Sequence, residues 1–250
     1  MPRARNALVL AFACAFGAAV PASAQVGPSP AEAAHYTGLH AAAHHGRVAQ
    51  IEALAAAGAH VNSRDSYGRT PLHVATFGKQ REAIRALAKA GARLDLLEQD
   101  RYDAVTIAAV ADDEETLRVL LSLGASAKQV TSRYDGTALI AAAHLGHDGV
   151  MRQLIAAGAP LDHVNNLHWT AVIEAVVLGD GGPRHQATLR ALIDAGANVE
   201  LKDRQGLTPL ELARSRGYRE MAAMLERAGA RTPRPRRARS SGGWLRGRPG

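Results

Sequence analysis

The 250-residue chain is 47% hydrophobic and 21% charged, which supplies enough apolar material for a folded core and excludes wholesale disorder. Aromatic residues make up only 4%, and the apolar share is mostly alanine and leucine, which are strong helix formers, so the composition disfavours an all-β fold. The chain has one cysteine, Cys14, and this excludes an intrachain disulfide and a cysteine-based zinc site.

The formal net charge of +7 comes from the two ends of the chain. Two arginines lie in the first five residues, and seven lie in the last twenty. Without these nine, the 30 basic residues fall to 21 against 23 acidic residues, so residues 25–230 carry a net charge of −2. A body of this charge does not suit a polyanion, and we expect no nucleic-acid partner.

Residues 1–24 have the pattern of a secretory signal peptide. Two arginines precede an apolar segment at residues 7–20, and an A-x-A cleavage motif ends at Ala24. The apolar segment is short for a membrane span. We therefore expect export to a Gram-negative periplasm, with cleavage after Ala24 and a mature chain that begins at Gln25.

Residues 25–35 are interpreted as an N-terminal lead-in that caps the rest of the chain. The run Ser29-Pro30-Ala31-Glu32 has the pattern of a capping box with proline at the first helical position. This pattern predicts a short helix.

From residue 36 onward the sequence repeats. The dipeptide Gly-Ala recurs at steps of 33, 33, 34, 38 and 33 residues. Four residues before each of these glycines stands a leucine: Leu54, Leu87, Leu120, Leu154, Leu192 and Leu225. An apolar position closely followed by glycine is typical of a short helix with a glycine C-cap. Six such leucines predict six helical units that stack on one another, because one unit cannot bury its own apolar face.

A second helix in each unit is indicated by the runs Thr-Pro-Leu-His-Val-Ala at 70–75 and Thr-Pro-Leu-Glu-Leu-Ala at 208–213. Threonine caps a helix, and proline fits its first position. This period and this run resemble the ankyrin repeat. The resemblance covers residues 36–231 and implies an all-α ankyrin-repeat solenoid of about six helix-turn-helix units with projecting β-hairpin fingers.

The fingers are the segments between units, at residues 59–68, 92–102, 125–136, 159–169 and 197–207. An aromatic residue stands near the tip of four successive fingers: Tyr67, Tyr102, Tyr134 and Trp169. Arg69 accompanies the first of them. Because tyrosine, tryptophan and arginine dominate the energetics of protein interfaces, we predict that these five residues bind a protein. The alternative is that the rings pack between adjacent fingers.

Three further candidates lie near the ends of the first helices, which face the concave groove in ankyrin-like stacks. They are His44, Phe77 and His144. We predict that they contact a partner in the groove, and the alternative is that they lie at solvated helix ends.

Four histidines lie close together in the sequence: His35, His40, His44 and His45. This spacing raises the alternative of a periplasmic metal-binding protein. The structural alternative is that these histidines form hydrogen bonds, as histidine commonly does in ankyrin repeats at the position of His40.

The C-terminal segment 232–250 is rich in arginine, proline, serine and glycine, and it is expected to be a disordered basic tail. Weak contact with an anionic membrane or with lipopolysaccharide is one role for it; a solubilising tail is the other.

The resemblance implies a protein–protein interaction module with an unidentified protein partner, with no cofactor and no catalysis, and residues 1–24 add the expectation that it is exported. No catalytic constellation stands in the sequence, and a solenoid offers a groove rather than a closed active site. Besides the metal hypothesis, an inhibitor or immunity-type protein that neutralises an exported toxin is a further alternative.

Overall fold

The computed structural model describes residues 27–229, so the predicted signal peptide and the basic tail lie outside the described residues. The described part contains thirteen α-helices and two short β-strands. Their bounds are α1 Pro30–Ala34, α2 Gly38–His44, α3 Val48–Ala56, α4 Pro71–Phe77, α5 Arg81–Lys89, α6 Ala104–Val110, α7 Glu114–Ser122, β1 Val130–Thr131, β2 Gly136–Thr137, α8 Ala138–Leu145, α9 Asp148–Ala156, α10 Ala171–Val177, α11 Pro183–Asp194, α12 Pro209–Ser215 and α13 Arg219–Arg227.

After α1, the helices form six antiparallel pairs, which confirms the predicted solenoid of six units. The first helices of the pairs, α2, α4, α6, α8, α10 and α12, pack side by side and form the inner row. The second helices form the outer row, and each contacts its neighbour in the same way. Within residues 27–229, no helix is long and apolar enough to cross a bilayer.

The inner helices begin where the sequence predicts. At α4, the Thr70 hydroxyl accepts a hydrogen bond from the backbone N–H of His73, and Pro71 occupies the first helical position. The ring of His73 accepts from the Thr70 N–H at 3.0 Å, and its Nε2 donates to the Leu96 carbonyl at 2.9 Å. Burial lowers the pKa of His73 to about 4, so the neutral ring is a structural link to the next finger.

The leucine column forms the core between the two rows. Five of the six leucines are fully buried: Leu87, Leu120, Leu154, Leu192 and Leu225. Leu54, in the first unit, is only partly buried. Burial of this kind stabilises by about 2 kcal/mol per side chain, and stacking supplies it to every unit.

The predicted lead-in helix is present as α1, and its capping box is complete. The Ser29 N–H donates to Glu32 Oε2 at 2.7 Å, and the Glu32 N–H donates to the Ser29 hydroxyl at 3.2 Å. Just after the lead-in, the Tyr36 hydroxyl donates to Asp65 Oδ2 at 2.7 Å, which ties the start of the first unit to the first finger.

The fingers are hairpin-like turns. In four of them one backbone N–H bonds to the carbonyl four residues later, at 3.0 Å, and the donor residues are Asp65, Glu98, Asn165 and Asp203. Only the 125–136 finger forms a β-ladder in the described chain, with Val130 paired to Thr137. Neighbouring tips are also joined, since the N–H of Gln99 bonds to the Tyr67 carbonyl and that of Asn166 to the Tyr134 carbonyl. With the Ser132 N–H bonded to the Arg101 carbonyl at 2.8 Å, the first four fingers form one continuous row.

The fifth unit accommodates its five extra residues in two places. The turn between α10 and α11 spans residues 178–182, whereas the corresponding turn between α4 and α5 spans 78–80. Helix α11 has 12 residues, whereas the other outer helices have 9. The lengthened turn is held by the Tyr218 hydroxyl, which donates to the Gly179 carbonyl at 2.9 Å.

Candidate protein-binding site

A cavity of about 610 Å³ lies between the fingers at residues 92–102, 125–136 and 159–169 and the inner helices α6, α8 and α10. We call it the finger cavity. Fifteen residues line it: Tyr102, Thr106, Thr131, Ser132, Tyr134, Gly136, Thr137, Ile140, Ala141, His144, Asn165, Leu167, Trp169, Glu174 and Leu178.

Three of the four predicted finger aromatics line this cavity together. The side chain of Tyr134 is 49% exposed, whereas Tyr102 and Trp169 are partly buried. The ring of Trp169 also packs against the core. Leu167 and Leu178, both exposed, extend the apolar surface at the rim. The cavity thus joins a buried floor to an exposed apolar edge, and the binding role of these residues stays a prediction.

Asn165 organises the wall that carries Trp169. Its side-chain oxygen accepts the backbone N–H groups of Leu167 and Trp169, both at 3.0 Å, which fixes the finger turn. Its side-chain nitrogen donates to Glu174 Oε1, also at 3.0 Å. An amide side chain can do both at once, because its oxygen accepts and its nitrogen donates. Asn165 therefore couples the position of Trp169 to that of a carboxyl group on α10.

Glu174 is the unusual residue of the finger cavity. It is 4% exposed, and its Oε2 atom is buried and has no hydrogen-bond partner. Burial raises the pKa of Glu174 to about 7, although the hydrogen bond from Asn165 works in the opposite direction. The carboxyl is therefore poised between its neutral and ionised forms near neutral pH.

His144, a predicted groove residue, projects from α8 towards Glu174. Its Nδ1 atom lies 3.7 Å from Glu174 Oε2, which is longer than a hydrogen bond. Burial lowers the pKa of His144, and the neighbouring His185 and His147 lower it further. Both shifts favour neutral partners, so the two side chains are neighbours and do not form a strong ion pair.

The first finger differs from this arrangement. Tyr67 is 45% exposed, but it does not line the finger cavity, and the Arg69 guanidinium lies 4.5 Å from the centre of its ring. Glu32 of the lead-in has a pKa of about 2, chiefly because of a hydrogen bond with the Tyr67 side chain. The ring is thus already engaged by the chain itself.

Arg69, which we predicted to bind a protein, is buried beside the first finger. The residue is 3% exposed, its Nε donates to Asp65 Oδ2 at 2.8 Å, and its Nη2 lies 3.5 Å from Glu32. Burial raises the pKa of Asp65, but hydrogen bonds from Tyr36 and Arg69 outweigh it and the net shift is downward. Arg69 is a structural cation, because the lead-in supplies a partner that the finger sequence does not reveal.

His44 and Phe77 lie outside the finger cavity. The ring of His44 is near those of Tyr36 and His45, with centroid distances of 6.2 and 5.0 Å. A Cβ atom built on Gly27 would stand 3.2 Å from the Phe77 ring, so the lead-in passes directly over Phe77. The lead-in therefore covers Phe77, which we predicted to contact a partner in the groove.

The four neighbouring histidines do not form a metal site in the structure. His35 Nδ1 lies 2.7 Å from the Ala31 carbonyl, and His40 Nε2 lies 3.0 Å from the Arg69 carbonyl. Within the described residues, no group of three or more His, Cys, Asp or Glu side chains is placed to hold a metal ion. The geometry favours the hydrogen-bonding alternative for His35 and His40.

Sequence reasoning missed Glu174 and Asn165. A signal for Glu174 does exist, because the same position in the other five units is apolar: Ala41, Val74, Ile107, Ala141 and Leu212. Burying a carboxyl in an apolar column is unfavourable and therefore points to a special role. Asn165 carries no comparable signal, since polar residues occupy its position in the other fingers.

Comparison with known proteins agrees with this architecture. The family model described as ankyrin repeats (3 copies) matches two segments of this chain, residues 10–100 and 105–203. A putative ankyrin repeat protein from Escherichia coli, YahD, is 41% identical over 100 residues, which are 40% of this chain and 50% of that protein. The alignment therefore spans only half of that relative's length.

Two solved structures show the same fold. An ankyrin repeat domain from Acinetobacter baumannii is 41% identical, with a TM-score of 0.73 over 77% of this chain and 98% of that one. A chain in the complex of a predatory endopeptidase from Bdellovibrio bacteriovorus with an immunity protein is 23% identical, with a TM-score of 0.60 over 77% of this chain and 98% of that one; this likeness concerns the fold alone. Together, the matches show that the chain belongs to the ankyrin repeat family, whose repeats act as protein–protein interaction modules.

Proposed function

We propose that this chain is an exported binding module that captures a protein partner through the finger cavity and the adjoining finger tips, without catalysis. The observation that carries the proposal is the convergence of Tyr102, Tyr134 and Trp169 on one open cavity. In a chain with only 4% aromatic residues, three such side chains at one concave site form an unusual concentration.

The physical argument rests on what these side chains do at interfaces. Tyrosine and tryptophan bury a large area and lose little conformational freedom, and residues of this kind dominate measured binding energies. The exposed rim at Leu167 and Leu178 adds apolar surface that a partner would cover. The net charge of −2 between residues 25 and 230 favours a protein over a nucleic acid.

Export is the second part of the proposal, and it rests on the signal-like residues 1–24. Its test is to express the full chain in a Gram-negative host, fractionate the cells and sequence the N-terminus of the protein. Recovery from the periplasm with Gln25 as the first residue would support export. Full-length protein that remains in the cytoplasm would contradict it.

The binding test is a pull-down from periplasmic extract with the chain that begins at Gln25. A variant with Tyr102, Tyr134 and Trp169 changed to alanine should lose the partner, and the single variant Tyr134→Ala should bind it more weakly. Val164→Ala is the matched control, because Val164 is 46% exposed but does not line the finger cavity. All variants are checked for unchanged helical circular dichroism.

The identity of the captured protein then decides between narrower roles. An exported toxin or peptidase among the specific partners would favour the immunity-type hypothesis, for which the chain itself offers only its fold. Retention of the same partner by the triple variant would contradict the finger cavity as the binding surface. Contact of the tail with an anionic membrane stays a prediction, because the tail lies outside residues 27–229.

A further inference from the structure

The finger cavity contains an acceptor without a donor. Glu174 Oε2 is buried, has no hydrogen-bond partner and belongs to a residue that is 4% exposed. Leaving a buried acceptor unpaired is unfavourable, and most such groups in folded proteins have a partner. The residues that line the cavity include no lysine or arginine. A ligand that brings a donor and a positive charge would therefore supply what this part of the described chain lacks.

The walls of the cavity suit one kind of cation in particular. Tyr102, Tyr134 and Trp169 present aromatic rings, and the faces of such rings attract cations. A guanidinium group is flat, stacks on these faces and is less strongly hydrated than an ammonium group, so it enters a partly dry cavity more readily. Nearby, His144 has a lowered pKa because of its burial, and its neutral ring does not repel a cation.

The carboxyl group is held in a way that leaves it able to accept a two-pronged donor. Asn165 donates a single hydrogen bond to Oε1, which keeps one lone pair, and Oε2 keeps both. Paired, parallel hydrogen bonds from guanidinium to carboxylate are the strongest contact between these two groups. The Asn165 bond also fixes the carboxyl in place before a ligand arrives.

We infer that the finger cavity receives an arginine side chain of the protein partner, with Glu174 as its carboxylate acceptor and the three aromatic residues as its walls. This inference deepens the proposed function and rests on it for the source of the arginine. A protein source is favoured over a free small molecule because the rim carries Tyr134, Leu167 and Leu178, all exposed. A peptide backbone on either side of the arginine would cover this apolar rim, whereas a free amino acid would leave it in water.

The first test uses capped arginine, N-acetyl-L-arginine N-methylamide, as the probe on the chain that begins at Gln25. The indole N–H of Trp169 is observed by NMR in a Trp244→Phe background, which leaves one tryptophan. Capped arginine should shift this signal saturably. Capped citrulline, which has the same shape without the charge, should shift it at least tenfold more weakly, and this comparison needs no change in the cavity itself. Equal effects of the two probes, or no saturable shift, would overturn the inference.

Two further probes define the ligand class. Capped lysine should bind several-fold more weakly than capped arginine, and equal binding would overturn the choice of guanidinium. Free L-arginine should bind no more tightly than the capped form. Tighter binding of the free amino acid would overturn a protein source.

The variant Glu174→Gln tests the acceptor. It should reduce the affinity for capped arginine at least tenfold, whereas the control Glu82→Gln, at a side chain that is 77% exposed on α5, should leave it unchanged. In the unaltered chain, affinity should rise about tenfold between about pH 6 and pH 8, because a carboxyl with a pKa of about 7 is mostly protonated at the lower pH. The groups that face Glu174 are His144 from α8 and Asn165 from the finger, and neither gains charge as the pH rises.

The pull-down separates this inference from the proposed function. If the partner is lost by the three-alanine variant but held with full affinity by Glu174→Gln, the arginine inference fails and the binding module stands. If capped arginine binds in a manner that depends on Glu174 while no partner depends on the aromatic residues, the cavity chemistry stands and the proposed function fails.

Discussion

The first finger and the three fingers around the cavity share one repeat geometry but use it in opposite ways. In the first finger, Arg69 is buried against Asp65 and Glu32, and its guanidinium covers the Tyr67 ring. At the position of Arg69, the third and fifth units carry Tyr102 and Trp169, which face an open cavity. A repeat position therefore determines where a side chain lies, but its neighbours determine whether it is available to a partner.

The same contrast appears in the finger turns. At one position of every finger the backbone has positive φ, and the residues there are Gly68, Arg101, Asp135, His168 and Gly206. The three fingers around the cavity carry side chains in this conformation, whereas the flanking fingers carry glycine. Since side chains rarely adopt positive φ without some cost in free energy, the three fingers around the cavity retain local strain that the flanking fingers avoid.

The largest effect on stability should come from the first finger, where Arg69 is buried. Arg69→Ala leaves the buried carboxyl of Asp65 without its cation, and we expect a loss of about 4 kcal/mol in the free energy of unfolding. Urea denaturation followed by far-UV circular dichroism measures it. The control Arg85→Ala removes a cation that is 47% exposed and should change stability by less than about 0.5 kcal/mol. A loss below about 1 kcal/mol at Arg69 would show that this network is not structural.

A substitution in the finger cavity should change stability in the opposite direction. The pKa of Glu174 is raised from 4.5 to about 7, so the folded state holds a proton that the unfolded state releases first. Below about pH 4.5 the carboxyl is neutral in both states, and as the pH rises to 7 the folded state is destabilised by up to about 3 kcal/mol. Glu174→Gln should therefore raise stability at about pH 8 by this amount and leave it nearly unchanged at about pH 4. Equal effects at both pH values would contradict the raised pKa.

A smaller difference should separate the finger turns. His168→Gly relieves the strain of a side chain at positive φ and should stabilise the chain by up to about 1 kcal/mol. Loss of the weak contact between His168 and Arg204 reduces this gain. Gly206→Ala is the reverse test, because no atom lies within 4 Å of the Cβ it would add, and it should destabilise by about 1 kcal/mol. Thermal unfolding of both variants measures the difference. Changes of the same sign would show that backbone strain does not distinguish the two groups of fingers.

The smallest effect concerns the exposed hydrogen bond that joins the lead-in to the first finger. Tyr67→Phe removes the hydroxyl group, and the pKa of Glu32 should rise from about 2 towards its ordinary value of 4.5. NMR titration of the Glu32 carboxyl carbon measures this pKa. An unchanged pKa in Tyr67→Phe would show that the Ser29 cap and Arg69 are sufficient to hold it low.

The fold could be predicted because its determinants are local and repeated. The leucine column, the Gly-Ala steps and the Thr70-Pro71 start each act within one unit, and six copies of the pattern support one another. The lead-in was also predictable, since the capping box of Ser29 and Glu32 is a four-residue signal.

The candidate site was predictable only in part, because its properties depend on contacts between units. The positions of Tyr102, Tyr134 and Trp169 follow from the repeat, but the burial of Arg69 depends on Glu32, which belongs to the lead-in. Likewise, the role of Asn165 depends on Glu174, which an inner helix places beside it. A single sequence shows the two residues but not the hydrogen bond that makes them a pair.

The lengthened fifth unit has a consequence for how such a protein can diversify. Its five extra residues extend α11 and the 178–182 turn, and Leu178 of that turn reaches the rim of the cavity. The sixth unit still packs on α10 and α11, with Tyr218 bonded to the Gly179 carbonyl. Since each unit contacts little beyond its neighbours, an insertion that reshapes one side of the cavity leaves distant units intact. Natural variation can therefore alter ligand preference one unit at a time, and each change has little effect on the folding of the other units.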